Sequence, residues 1–320
     1  MKTVGLFAYG ETAVSALKSL KSMFKVLWII TPSQNTRNAT YVGLAVELLA
    51  KKSGIKIIKT NTKKDIMEII AKNIPDAVVI SSYNKILGSD ILKFTKFINI
   101  HHGDLPRFRG RANINWALIN DRKEIGLAFH ETISDLDAGN VYAQYIVPIT
   151  DIDTAKTIYD KFKDLIEQHT ARIVEKVIKG FKGKKQKGKP TYCCTRLPED
   201  GYIQWDKTSR EIYNLVRALT HPYPGAFTYF DKKKLYVWNC EIPPNPKRYE
   251  GRIPGRIIKI HKGHGVEVLT KDSSIIIKEV TYNGKNINAS LLITSVKTSL
   301  GINIVQLFEQ VQDFVNGNSL

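Results

Sequence analysis

Asn99-Ile100-His101 closes an apolar run that begins at Phe97, and the pair of polar side chains suggests a reaction. If the run is a strand, residues two apart share a face. The Asn99 amide and the His101 imidazole then point the same way. An imidazole with a pKa of about 6.5 can take a proton from an attacking amine. An amide N–H beside it can donate to the oxyanion of a tetrahedral intermediate. Acyl transfer to an amine uses both groups. Farther on, Ser134-Asp135-Leu136-Asp137-Ala138-Gly139 offers a carboxylate that could hold the histidine's tautomer and stabilise its protonated form. Arg107-Phe108-Arg109-Gly110-Arg111 offers guanidinium groups, which bind phosphate in bidentate fashion and suggest an anionic cosubstrate. Read singly, each piece also fits something ordinary: a strand-end histidine capping a carbonyl, an Asp-rich turn, a solvated basic loop.

These residues need elements to position them. Thr3–Ala8, Lys25–Ile30, Lys56–Ile58, Ala77–Ser81 and Phe97–Ile100 read as short apolar strands. Between them, helices are expected after Thr12 (a candidate N-cap) to about Leu20, over Tyr41–Ser53 with Gly54 as its cap, and over Lys64–Asn73. Strands that are apolar throughout and alternate with helices predict a mostly parallel α/β sheet covered on both faces. Ligands of such sheets bind at the carboxyl ends of the strands, where His101 lies. A long helix is expected from Thr154 to Lys179. The run from Lys179 to Lys189 then holds six lysines and reads as a linker or exposed loop. Beyond it come a helix over Ser209–Leu219 and short strands at Ala226–Phe230, Leu235–Trp238, Gly255–Ile260, Val266–Leu269 and Ser274–Val280, predicting a small barrel-like β domain. The expected division is a catalytic domain over 1–180, a basic linker over 181–205 and a β-rich domain over 206–320.

The 320 residues suffice for such a core, and no stretch reaches the roughly 18 apolar residues of a membrane span. Cys193, Cys194 and Cys240 form neither a disulfide framework nor a CxxC zinc motif, which fits a reducing cytoplasm. The net charge of +18 favours polyanionic partners, although much of it is consistent with solvated lysine. No GxGxxG, Walker A, HExxH or GxSxG pattern is present. His101 and His102 are adjacent on a strand and diverge, and no Cys or carboxylate cluster accompanies them, so no metal is expected.

Taken together, the motifs resemble the formyltransferase family that uses 10-formyltetrahydrofolate. Asn99-Ile100-His101, Leu105-Pro106, Arg109-Gly110 and Asp137-Ala138-Gly139 stand in the family's order over Lys2 to about Ile149. Arg196-Leu197-Pro198-Glu199-Asp200-Gly201, Trp205, Val216-Arg217-Ala218 and Pro222-Tyr223-Pro224-Gly225-Ala226 resemble the start of its C-terminal domain. The resemblance implies a Rossmann-like catalytic domain with a smaller OB-like one. It implies that His101 is the base, Asn99 steadies the oxyanion and Asp137 tunes His101. It assigns Ser82, Tyr83, Asn84, Lys85, Ile86, Leu87 and Asp135 to the folate, with the pterin meeting main-chain groups. Tyr9, Gly10, Arg109, Gly110, Arg111, Arg196 and Tyr223 are assigned to the acceptor, with Arg111 at its diphosphate or nucleotide.

Among the family's acceptors, the likeness is greatest to nucleotide-linked amino sugars such as UDP-4-amino-4-deoxy-arabinose, carried by Arg109–Trp116 and Pro222–Phe227. The methionyl-tRNA enzymes carry a basic insertion after the second strand, whereas Thr31–Ala39 is short with one charge. The glycinamide ribonucleotide enzymes lack a second domain. A sugar nucleotide is therefore the expected partner and tRNA the weaker one. A non-catalytic RNA-binding relative of the fold is a third reading, opposed by the intact Asn99, His101 and Asp137 set, and a homodimer is compatible with the sequence. Gly103-Asp104 and His102 depart from the family pattern at positions expected to meet the acceptor.

Overall fold

The computed structural model describes residues 1–33, 44–302 and 304–315. By contacts, the chain divides into two units. The first holds the described residues up to Ile114, with Lys123–Asp151 and Thr157–Thr195. The second holds Asn115–Arg122, Ile152–Lys156 and the described residues from Arg196 onward. The basic segment 181–205 is thus shared out, 181–195 to the first unit and 196–205 to the second.

Up to Thr195 the elements are β1 (Thr3–Ala8), α1 (Glu11–Lys21), β2 (Lys25–Thr31), α2 (Leu44–Lys52), β3 (Ile57–Lys59), α3 (Lys63–Lys72), β4 (Ala77–Ser81), α4 (Ser89–Leu92), β5 (Lys96–His101), β6 (Arg109–Gly110), α5 (Asn113–Ile119), β7 (Glu124–Glu131), β8 (Val141–Pro148), α6 (Ala155–Ile178) and β9 (Tyr192–Cys193). The sheet order is β3-β2-β1-β4-β5-β7-β8. The pairs from β3 to β5 are parallel, while β7 and β8 add antiparallel strands. The winding direction reverses between β1 and β4, so their carboxyl ends form a switch point of the kind where α/β sheets take ligands. Tyr9 N donates to Ser81 O there at 3.0 Å, and the Thr12 and Ser82 hydroxyls lie 2.8 Å apart.

Thr12 is therefore not the N-cap expected of it. It is buried within α1, and Gly10, at φ 81°, caps the helix without a side-chain bond. Thr62 does cap α3, accepting from Asp65 N at 3.2 Å. The expected start of α2 at Tyr41 and most of the segment after β2 lie outside the described residues.

One face of the sheet buries Phe7, Trp28, Ile30, Val78, Ile80 and Phe97 against Ile66 and Ile70 of α3. Each such side chain contributes about 1.5–3 kcal/mol when fully buried. Phe7 and Trp28 meet edge to face at 5.8 Å. The indole lies over Gly5, where a Cβ would fall 2.3 Å from the ring.

The second unit contains α7 (Ser209–Leu219), β10 (Ala226–Phe230), β11 (Lys233–Glu241), β12 (Ile257–His261), β13 (Gly265–Leu269), β14 (Ser274–Tyr282), β15 (Lys285–Asn288), α8 (Ala289–Leu292) and α9 (Ile304–Val315). Its antiparallel sheet runs β10-β11-β14-β13-β12, with β15 added on β14. α7 begins with a capping box in which Thr208 Oγ1 accepts from Glu211 N and Glu211 Oε2 accepts from Thr208 N. No helix among the described residues is long and apolar enough to cross a membrane.

Because the space over Gly5 is filled by the indole, Gly5→Ala forces Trp28 to shift. We expect a loss of about 1–3 kcal/mol of stability, read by urea or thermal denaturation; an unchanged midpoint would show that the β1–β2 core yields at no cost.

Candidate active site

β5 carries both Asn99 and His101 at its carboxyl end, and β7 runs antiparallel beside it. That pairing sets Asn99 opposite His130 and His101 opposite Ala128. The chain then turns through residues 132–140 before returning as β8. In this turn Asp137 takes a left-handed conformation, φ 47°. Gly139 packs so closely that a Cβ would lie 2.0 Å from Glu131 O. The turn folds the Asp137 carboxylate inward. Its Oδ1 accepts from Asn99 Nδ2 at 3.3 Å and lies 3.4 Å from His130 Nε2. Its Oδ2 accepts from Gly110 N at 2.9 Å and lies 3.5 Å from His101 Nδ1. Burial pushes the Asp137 pKa up, but the hydrogen bond with His130, the charges of the two imidazoles and the Gly110 N–H together hold it well below the usual carboxylate range.

His101 is buried, with Nε2 2.7 Å from the Phe108 carbonyl oxygen. Only an N–H suits that contact, so the neutral ring carries its proton on Nε2 and its lone pair on Nδ1, toward Asp137. Asn113 Nδ2 also lies 3.1 Å from Nε2, while Asn113 Oδ1 is buried with no partner. With the amide turned end for end, Oδ1 would share the Nε2 proton and both groups would be satisfied. Burial lowers the His101 pKa, and Asp137 opposes that shift. A proton added at Nδ1 completes a second charge-assisted contact, so the site is built for this ring to accept one.

His130 completes the cluster, and sequence reasoning missed it. Its Nδ1 lies 2.7 Å from Glu131 O, a contact that suits only an N–H. Nε2 accepts from Asn99 Nδ2 at 3.1 Å when the ring is neutral and can donate to Asp137 Oδ1 at 3.4 Å when the ring is protonated. Both amide hydrogens of Asn99 are thus engaged, on His130 and on Asp137. The only signal was a lone histidine near the end of the apolar run Ile125–Phe129. His101, His130 and Asp137 present donor atoms within 4.8 Å of one another, a spacing a metal ion can bridge. The hydrogen bonds above already account for their arrangement.

The other predicted residues separate by role. Arg109 is held within the protein: Nε and Nη2 donate to Gln186 Oε1 at 3.3 and 2.7 Å, and its guanidinium lies 5.9 Å over the Tyr192 ring. Gly110 supplies the N–H to Asp137, and Arg111 is exposed. Tyr83 and Asn84 each bury a polar atom, Oη and Oδ1, that has no protein partner, as does Thr132 Oγ1 after β7. Ile86 is 90% exposed, and Lys85 and Asp135 are also exposed. Arg196 and Tyr223 belong to the second unit, where the Arg196 guanidinium covers the Trp116 ring at 4.9 Å.

His102 is not placed at an acceptor entrance. As the strand neighbour of His101 it turns to the opposite side and packs against Tyr159 and Phe162 of α6, with ring centroids 5.4 Å away in each case. Asp104 is likewise buried, tied to Arg107 Nε at 2.7 Å.

Residues 6–174 match the formyl transferase family, and residues 197–297 match the formyl transferase C-terminal domain. The chain belongs to the formyltransferase family. It is 32% identical over 283 residues to the methionyl-tRNA formyltransferase of Malacoplasma penetrans, covering 86% of this chain and 87% of that one. It is 31% identical over 297 residues to the bifunctional polymyxin resistance protein ArnA of Wigglesworthia glossinidia brevipalpis, covering 90% of this chain but only 44% of that protein's length. Among solved structures, the N-formyltransferase of Helicobacter canadensis in complex with folinic acid and dTDP-3-aminofucose superimposes with a TM-score of 0.62 at 19% identity, covering 87% of this chain and 99% of that one. At that identity, the likeness is one of fold.

In this formyltransferase, burial and the neighbouring His101 push His102 down to about 3, against an ordinary value of 6.5. Between these limits the folded chain keeps His102 neutral while the unfolded chain protonates it. The stability it contributes is complete above about pH 6.5 and is lost as pH falls toward 3. His102→Leu should flatten that part of the stability curve, measured as midpoint against pH. Parallel curves for variant and parent would refute the assignment.

Proposed function

We propose that this formyltransferase transfers the formyl group of 10-formyltetrahydrofolate to the amine of a nucleotide-linked amino sugar, in the cytoplasm, for surface polysaccharide assembly. The observation that carries the reading is the joining of Asn99, His101 and Asp137 at the end of β5. The orphaned polar atoms of Tyr83, Asn84 and Thr132 fit a folate ring, which presents donors and acceptors to match them. Exposed apolar side chains at Ile86, Ile133 and Leu136 on the same two loops suit its flat faces. The sugar-nucleotide complex of the Helicobacter relative and the ArnA likeness support the acceptor class.

The folate supplies the formyl carbon in activated form. His101 takes the amine's proton at Nδ1 and keeps it there, the new N–H donating a hydrogen bond to Asp137. Asn99 donates to the oxygen on which negative charge develops. Its amide can release the neutral His130 Nε2 for that purpose, because a hydrogen bond to an anion is roughly twice as strong. Collapse breaks the bond to the folate nitrogen, and the protonated His101 returns the proton there. Product is the formamide, with tetrahydrofolate released.

A second reading, methionyl-tRNA as acceptor, rests on the Malacoplasma relative and the +18 charge. Tetrahydrofolate release with UDP- and dTDP-linked amino sugars beside methionyl-tRNA separates the two: turnover on tRNA alone would overturn the sugar assignment. His101→Ala should lower kcat by about 10²–10⁴-fold, and near-parental turnover would remove His101 as the base. His101 is depressed by burial, so its neutral form persists below pH 6.5. The acid limb of kcat/KM belonging to it should therefore fall below 6.5, and a limb above that value would contradict a buried base.

A further inference from the structure

The lysine-rich run expected as a linker does more than connect. Lys184 pairs with Val141 in both directions, N to O at 2.9 and 2.8 Å. Gln186 Nε2 donates to Asp137 O and Gly139 O at 2.7 and 2.9 Å. The segment is therefore anchored beside the catalytic turn. Together with Leu105 and residues 141–144 of β8, it encloses a cavity of about 500 Å³ lined also by Phe181, Lys184, Lys185, Gln186 and Lys187. That volume falls in the roughly 300–1,000 Å³ range of small-ligand sites.

The lining is cationic and uncompensated. Lys179 pairs with Glu175 outside the cavity. Among the described residues, no carboxylate forms an ion pair with Lys184, Lys185 or Lys187, and no acidic residue lines the space. Glu131 raises the pKa of Tyr142, one of the wall residues, but is not itself in the wall. Lys184, Lys185 and Lys187 are all exposed at this lining, and like charges so close in the chain favour an anion that joins them. Gln144, Gln186 and Tyr142 add neutral polar groups, and Leu105, Phe181 and the lysine stems add apolar surface.

We propose that this cavity binds the oligo-γ-glutamate tail of the folate donor. The inference rests on the folate reading above. Such a tail repeats one carboxylate per residue along an aliphatic chain, which suits ammonium groups spread over Lys184–Lys187. A diphosphate concentrates its charge on neighbouring atoms and is better met by a fork of guanidinium groups or a cradle of N–H groups, neither of which lines this space. The shared wall also links the cavity to catalysis. Gln186, in the cavity wall, holds the backbone of Asp137, and Leu105, also in the wall, lies four residues after His101.

The test is equilibrium binding of tetrahydrofolate carrying one or five glutamates, which needs no acceptor. The intact chain should bind the pentaglutamate at least about tenfold more tightly, and high salt should erode the difference. The triple variant Lys184→Ala, Lys185→Ala, Lys187→Ala should lose the preference while its affinity for the monoglutamate holds. Equal affinities in the intact chain would overturn the inference and leave the folate reading standing. Binding of neither form would overturn the folate reading itself. A triple variant that keeps the tail preference but raises KM for the acceptor would reassign the cavity to the acceptor's phosphates.

Discussion

The buried carboxylate of Asp137 is the constraint from which the rest of the catalytic unit follows. A carboxylate removed from water without partners is costly enough to be expelled or protonated. Here Gly110 N and Asn99 Nδ2 donate to it at 2.9 and 3.3 Å, and His101 Nδ1 and His130 Nε2 lie 3.5 and 3.4 Å away, each a donor once its ring is protonated. Those groups come from β5, β6 and β7, so the ion is stable only when three separate pieces of chain are in place. The left-handed backbone at Phe108 and Asp137 belongs to the same requirement. Residues with a Cβ avoid that region unless surrounding contacts hold them there.

The same arrangement defines the chemistry. His101 has an acceptor at each ring nitrogen, the Phe108 carbonyl and the Asp137 carboxylate. Neutral, it can satisfy only one of them; protonated, it satisfies both. Burial works against the charge, and the balance leaves a base that is neutral yet ready to accept a proton. Asn99 Nδ2 is engaged by His130 and Asp137, partners that the mechanism proposed above would have it partly release. Positioning thus comes from ground-state hydrogen bonds that are weaker than the ones a developing oxyanion would make.

The basic segment after α6 belongs to this machinery as well. Gln186 spans Arg109 and the backbone of the Asp137 turn, and Tyr192 stacks beneath the same guanidinium. An arginine whose donors are taken up in this way acts first as a strut. Arg111, two residues on, is exposed.

Local physics made much of this legible from residues alone. Apolar runs such as Ala77–Ser81 declare buried parallel strands because no face of them tolerates water. The run Ser209–Leu219 reads as a helix by itself, and the structure starts α7 there on a capping box of Thr208 and Glu211. Alternation on a strand was enough to send Asn99 and His101 one way and His102 another. The sequence alone therefore determined the α/β class, the family and the three polar residues at its centre. Tertiary structure decided what no local pattern contains. His130 joins Asn99 only because β7 returns antiparallel in a register that sets them opposite. Thr12 left its expected capping role because its hydroxyl found Ser82, from another strand end. The lysines became a cavity wall because Lys184 found Val141. Each contact joins residues far apart in the chain, and its energy depends on a distance that exists only once the sheet has formed.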